Sequence, residues 1–417
     1  MITRFSQICL VLVLQISIWL VASPTATALS EEQLLYSEAW RLVDQVYVDD
    51  SFNHQDWRSV RQKALVQPLP DRESTYAAIR NMLDSLGDPF TRLLQPQQYD
   101  SLKASTAGEL TGVGLQIVQN AETGYLEVLA PIEGSPAALA GVQAADQILD
   151  IDSVPTTTLT LDEAAERMRG PVGTSVQLKV QRRDAQDQKE VLVFPLKRDR
   201  IAINPVFAEL RNQPKGRDIG FIRLRQFNAN ATQQMEAAIL RLEAEGADGY
   251  ILDLRNNPGG LLQAGVEIAQ LWLNPSPIVY TVDRQGIRNN FEANSGSLTD
   301  DPLVVLVNRG TASSSEILAG ALQENGRAKL VGERTYGKGS IQSLFNLSDG
   351  SGLAITIAKY ETPHHHNINK IGITPDKVVT LRTLRSDQIG TEVDTQYQQA
   401  LKMLCEPAVL ASAVSSS

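Results

Sequence analysis

The run Leu303-Val304-Val305-Leu306-Val307 is the tightest constraint on the fold of this chain. A strand made only of apolar residues has no solvent face, so other elements must cover both of its sides. Arg309-Gly310 turns the chain, and Ser313–Leu322 follows as a helix. Gly249–Leu254 repeats the arrangement, a buried strand ahead of a turn and a helix over Leu261–Leu271. Ile219–Arg223 and the helix Ala231–Glu243 precede them, and Leu353–Lys359 returns as a strand. Strands alternating with helices predict an α/β core over residues 198–384 with part of its sheet parallel.

The flanks read differently. Residues 29–105 are expected to be helical. Glu31–Tyr47 carries Leu34, Leu35, Ala39, Leu42, Val43 and Val46 at helical spacing, and Ser74–Leu86 repeats the pattern before Gly87-Asp88-Pro89 ends it. Residues 106–197 hold short strands at Leu126–Leu129, Asp146–Ile151 and Ser175–Gln181. They also hold two short helices, one capped by Ser135 with Pro136 at its first position and one over Leu161–Met168. This is a compact separate module. Residues 385–417 read as a C-terminal tail, weakly helical after Tyr397 and ending in a serine-rich disordered stretch.

The first 28 residues read as an export signal. Arg4 gives the positive start, Ile8–Val21 is apolar but short for a bilayer, and Ala26-Thr27-Ala28 is a cleavage site. The mature chain would begin near Leu29; the alternative is an uncleaved anchor. Cys9 lies in the signal, which leaves Cys405 as the only mature cysteine and allows no intramolecular disulfide. Cys405 has no evident partner and reads as filler or a free thiol. A net charge of −10 without a basic stripe argues against nucleic acid.

Ser313 is the candidate nucleophile. It sits at a helix start, where free backbone N–H groups can stabilise an oxyanion. Ser313-Ser314-Ser315-Glu316 is also S-x-x-E, an ordinary capping box, and the two readings are compatible. Three adjacent serines leave the nucleophile open on chemistry alone. A serine needs a base, and the four histidines of this chain form no triad motif. His54 stands alone, and His364-His365-His366 follows Pro363 in what reads as a solvated loop. Lys338, in Tyr336-Gly337-Lys338-Gly339, could serve if burial holds it neutral. In an extended segment Lys338, Ser340 and Gln342 share a face, so that Gln342 could orient the amine. Asp253–Gly260 ends a buried strand in Pro258-Gly259-Gly260, and the Gly259 amide is a candidate oxyanion donor. Gly332–Lys338 matches the start of a phosphate-binding loop, but Gly339 stands where Ser or Thr must hold magnesium. No metal-ligand spacing is present, and no cofactor is expected.

Together VNRGTASSSEILAGAL, DLRNNPGG, VGERTYGKGSIQ and SDGSGLAITIAKYETP with IGITPD resemble the carboxyl-terminal-processing (tail-specific) proteases. The resemblance covers nearly the whole chain after the signal. It implies an α/β multidomain protein with a helical N-terminal region, a PDZ module and a ClpP/crotonase-like catalytic core. It further implies Ser313 as nucleophile, Lys338 as general base, Gln342 as its assistant, Gly259 and Ser314 as oxyanion donors, and Glu316 near the site. The middle module resembles a PDZ domain, in which Gly112, Val113, Gly114, Leu115, Gln116 and Ile117 would take a C-terminal carboxylate and its strand. Protein tails are the expected partners, with peripheral membrane association as a further expectation. EAWRLVDQVYVDDSFN, GDPFTRLL and KYETP resemble the photosynthetic branch, which trims the photosystem II reaction-centre precursor in the thylakoid lumen. Two departures are Ser314 after the nucleophile and the histidine run. The competing reading is an inactive exported PDZ adaptor; retention of Ser313, Lys338, Gln342 and the glycine block speaks against it.

Overall fold

The structure, a computed structural model, describes residues 29–404 apart from 121–122, 133, 184–187, 213–216, 287, 295, 381–383 and 386–387. The signal segment and Cys405 lie outside the described residues. Among those residues no helix is long and apolar enough to cross a membrane.

The core is built on a six-stranded sheet. Its strands run in the order Val206–Asn212, Asp218–Leu224, Gly249–Asp253, Leu303–Val307, Ala328–Gly332 and Lys377–Val378. The first pair is antiparallel and the rest are parallel. Leu303–Val307 lies inside this sheet, as its composition requires. Leu303, Val305 and Val307 face a large cluster with the helices Ala231–Glu245, Leu262–Trp272 and Ser314–Glu324. Val304 and Leu306 face the other way, against Tyr397, Ala400 and Leu404. The segment expected as a weakly helical tail therefore supplies a helix, Thr395–Leu404, that covers the second face of the sheet. A buried ion cluster fixes it there. Arg255 donates to both carboxylate oxygens of Asp253 at 2.8–2.9 Å and to both of Asp394 at 2.8 Å.

A second sheet is antiparallel and five-stranded, with Gly352–Glu361 at its centre. Ser340–Asn346 and Ser276–Asp283 pair with that strand, and Arg288–Ala293 continues the sheet. The fifth strand, Arg92–Leu94, comes from the N-terminal region expected to be wholly helical. Its register sets Arg92 opposite Ala354 and Leu94 opposite Gly352. The N-terminal helices Glu31–Val46, Trp57–Val66 and Arg72–Asp84 pack on the same sheet through Leu347, Leu353 and Ile355. Asp349, in the turn of the Ser340–Glu361 hairpin, ties them down by accepting from Arg72 at 2.6 Å and Tyr76 Oη at 2.7 Å.

The middle module has its own core, with Leu126, Val128, Ile148, Ile151, Leu178 and Val180 at its centre. Its sheet runs Leu115–Gln119, Leu126–Pro131, Gln147–Ile151, Ser175–Arg183, Lys189–Lys197. Lys189–Lys197 was not foreseen; it extends the sheet beyond Ser175–Arg183 over a nine-residue register. The helices Pro136–Leu139, capped by Ser135, and Leu161–Met168 fall where the sequence places them. Leu115–Gln119 is an edge strand, paired only with Leu126–Pro131 within its sheet.

Candidate active site

Ser313 lies on the turn between the buried strand Leu303–Val307 and the helix Ser314–Glu324. Its backbone has φ 58° and ψ −121°, a conformation costly for a residue with a Cβ. Such strain persists only where surroundings over-determine it. Here Thr311 Oγ1 donates to Leu254 O at 2.9 Å, Ala312 N–H to Asn257 O at 3.0 Å, and Ser315 Oγ to the same carbonyl at 3.0 Å. Tyr360 Oη, on a buried ring, donates to Ser313 O at 3.2 Å. The turn that carries the serine is thus stitched to the turn that carries Pro258-Gly259-Gly260.

Glu316 is fully buried and serves as the hub of the site. Its carboxylate accepts from Ser313 N–H at 2.9 Å, closing the predicted capping box. It also accepts from Lys338 N–H at 2.9 Å, Gly337 N–H at 2.7 Å and Thr335 Oγ1 at 2.5 Å. One side chain therefore locks the backbone of Ser313 to that of Lys338. Gly337, at φ 89°, lets the lysine loop pass within 2.8 Å of the Ile371 and Gly372 amides, measured from where its Cβ would stand.

Ser313, Ser314, Gly259, Lys338 and Gln342 line one cavity of about 410 Å³. Leu102, Leu261, Leu262, Ile317, Ile341 and Leu344 make most of its wall apolar. Lys338 is half-buried, and desolvation pushes its amine below the ordinary lysine range. The Arg92 guanidinium pushes the same way, while Asp88 and Glu316 oppose it. Lys338 Nζ stands 4.9 Å from the centroid of the Phe90 ring and has no hydrogen bond among the described residues. Gln342, expected to bond or orient the amine, instead donates to Ser340 Oγ at 2.9 Å and Thr356 Oγ1 at 3.1 Å. A register shift between Ile341 and Gln342 breaks the simple alternation on which that expectation rested, and Lys338 lies ahead of the strand, which begins at Ser340.

The Gly259 N–H donates to Asn257 Oδ1 at 2.9 Å. The Ser314 N–H is at the first helical position, with no helical carbonyl behind it. Gly259, at φ 95°, is pressed against the serine: a Cβ there would stand 2.7 Å from Ala312 O, 2.8 Å from Ser313 Cβ and 2.9 Å from Ser314 N. Gly259→Ala is therefore expected to lower kcat/KM at least about 100-fold, the usual effect of losing one oxyanion donor. Steady-state kinetics on a tailed protein substrate, with a thermal midpoint measured in parallel, checks this.

The remaining expected residues lie elsewhere. In Gly112–Ile117, the Gly112 to Gly114 turn is buried and Leu115 opens the edge strand. The histidine run is tied to acids: His365 Nδ1 lies 3.1 Å from Glu361, and His366 Nδ1 lies 2.8 Å from Glu324. Among the described residues no group of His, Cys, Asp or Glu is placed to hold a metal ion. Sequence reasoning missed Phe90 and Arg92, which also line the cavity, although GDPFTRLL was noted as a block.

The fold and the cavity are those of a serine peptidase. The sequence profile of Peptidase family S41 matches residues 218–379, and a PDZ domain profile matches residues 127–182. A carboxyl-terminal-processing protease of Synechocystis sp. is 54% identical over 413 residues, spanning 99% of this chain and 96% of the relative. The chloroplastic carboxyl-terminal-processing peptidase 2 of Arabidopsis thaliana is 44% identical over 88% of this chain and 73% of its own length. A solved photosystem II D1 C-terminal processing protease is 40% identical, covers 87% of this chain and 98% of its own, and superposes with a TM-score of 0.57. The chain belongs to Peptidase family S41 and is a serine peptidase of the carboxyl-terminal-processing kind.

Proposed function

We propose that the chain is a Ser-Lys endopeptidase that removes short C-terminal extensions from exported proteins. The observation that carries this reading is the clamp by Glu316, which holds the nucleophile turn and the lysine loop on one cavity. Neutral Lys338 takes the Ser313 hydroxyl proton as the oxygen attacks the scissile carbonyl. The Ser314 amide, joined by the Gly259 amide once it leaves Asn257, stabilises the oxyanion. The lysine then gives its proton to the leaving amine. Water, deprotonated by the same lysine, then attacks the acyl carbon, and the lysine returns that proton to Ser313 Oγ as the acyl–oxygen bond breaks. Gln342 acts through Thr356 and Ser340, as a support for the loop end of the base.

The module over residues 106–197 would recruit the tail. Leu115–Gln119 has an unpaired edge beside the helix Leu161–Met168, which suits addition of an extended peptide as a further strand. The likeness to cyanobacterial and chloroplastic processing proteases, together with the signal-like residues 1–28, supports action in the thylakoid lumen or periplasm. It supports the C-terminal extension of the photosystem II reaction-centre precursor as the substrate. Mass-spectrometric mapping of that precursor, or of a protein with a free unstructured tail, incubated with the mature chain and with Ser313→Ala, tests this. A single C-terminal fragment released only by the intact serine is expected. Tail binding without release by either protein would overturn the peptidase reading of this cavity.

A further inference from the structure

Phe90 stands out because nothing in the mechanism above uses it. It belongs to the N-terminal region, yet it lines the same cavity as Ser313, and Lys338 Nζ stands 4.9 Å from the centroid of its ring. A cation at that distance over a ring face is held by the ring quadrupole, and more strongly where water is partly excluded. The ring is firmly placed. Phe90 N–H donates to Asp88 Oδ1 at 3.0 Å, and Asp88 Oδ2 accepts from Thr91 Oγ1 at 2.7 Å and from Thr356 Oγ1 at 2.6 Å. Thr356 N–H donates back to Thr91 Oγ1 at 3.0 Å. Two residues on, Arg92 enters the antiparallel sheet opposite Ala354. The Thr356 hydroxyl that holds Asp88 also receives Gln342. The aromatic ring, the base and its supporting glutamine thus share one rigid frame across two parts of the chain.

We propose that Phe90 is a positioning residue that holds the Lys338 side chain over its ring in the charged form between turnovers. A substrate segment lying along the apolar wall covers the ring face, removes the cation's partner, and so delivers the amine to Ser313 in its neutral form. Base activation is then coupled to occupation of the cavity. This rests on the reading of Lys338 as the general base.

The ring favours the charged amine, against the burial and the Arg92 charge that disfavour it; Asp88 and Glu316 face the amine with the opposite sign. Replacing the ring must therefore lower the midpoint at which Lys338 loses its proton. The first test uses Ser313→Ala protein and reads the pH dependence of acetylation of the Lys338 amine by acetic anhydride, followed on its peptide by mass spectrometry. Phe90→Leu is expected to move the midpoint down by about half a pH unit, Phe90→Tyr to leave it, and Phe90→Trp to raise it, since indole binds cations best. In the active enzyme the acid limb of kcat/KM moves the same way, so Phe90→Leu gains about threefold below the limb. Because Trp and Leu predict opposite directions, a loss of folding in one, seen by circular dichroism, leaves the other decisive. A common midpoint for Leu, Phe and Trp overturns the proposal. Full activity in Lys338→Ala would instead sink the base assignment, and the acetylation series would still show whether the ring holds the amine.

Discussion

Lys338→Ala lowers kcat/KM at least about 10⁴-fold while a labelled C-terminal tail peptide binds as tightly as before. The size follows from the lack of a substitute base. The described histidines outside the run reduce to His54, which does not line the cavity, and the run itself is engaged with Glu361 and Glu324. Glu324 ends the helix that Ser313 begins, so the run lies at the far end of that helix. Burial and the Arg92 charge depress the amine, so its neutral, working form accumulates below the usual lysine value of about 10.4. Activity must then rise with pH along a limb whose midpoint lies under that value. Linkage gives a second sign. The unfolded chain binds a proton on Lys338 where the folded chain has released it, so this residue's contribution to stability rises with pH across that window. Below it the folded protein bears a poorly solvated charge. Lys338→Met should accordingly raise the thermal midpoint at neutral pH as it destroys activity, a separation visible by calorimetry beside a peptidase assay. A variant that is both active and unchanged in its midpoint would refute the assignment.

Much of the candidate site was legible because the blocks that form it are local in sequence. Ser313, Ser314 and Glu316 sit in one turn and helix start, and Gly259 ends a strand whose apolar run announces itself. The Leu303–Val307 strand declared two covered faces, and helices next to it in the sequence cover one of them. What covers the other face was not readable. The covering segment reads as only weakly helical by itself, and its attachment depends on Asp394 meeting Arg255 across the fold. Strands such as Val206–Asn212 and Ala328–Gly332 mix charged and apolar residues without a clean period, so pairing rather than propensity defines them. Gln342 shows a subtler limit. The period-2 rule puts it with Ser340, which holds, but beyond the shift at Ile341 its amide bonds Thr356 and Ser340 instead of Lys338. Phe90 is legible only in space, because no local pattern says that a short strand after a helical region will dock beside Gly352–Ala354.

Glu316→Ala is expected to cost about 1–3 kcal/mol of folding stability for each donor left buried without an acceptor and to abolish turnover together, which distinguishes it from every other variant considered. The carboxylate is fully buried, and its four donors come from two segments: the Ser313 turn and the loop that carries Thr335, Gly337 and Lys338. Removing it leaves buried N–H groups without acceptors, and the penalty of each adds to that of the lost bonds. Ser313 is the most exposed to this, since its strained φ of 58° is held in part by the bond from its own amide. Glu316→Gln sharpens the test. It keeps the size but turns one acceptor oxygen into a donor, so either the Ser313 and Lys338 amides or the Thr335 and Gly337 donors lose their partner. If Glu316 does chemistry by its charge alone, Glu316→Gln would fold normally and fail only in the rate. If it is the clamp between nucleophile and base, Gln loses stability as well, and tail binding by the separate PDZ core survives in both variants. Thermal unfolding, kcat/KM and tail-peptide anisotropy on the same preparations separate the two. A stable, slow Gln variant would shift Glu316 from the frame of the site to its reaction.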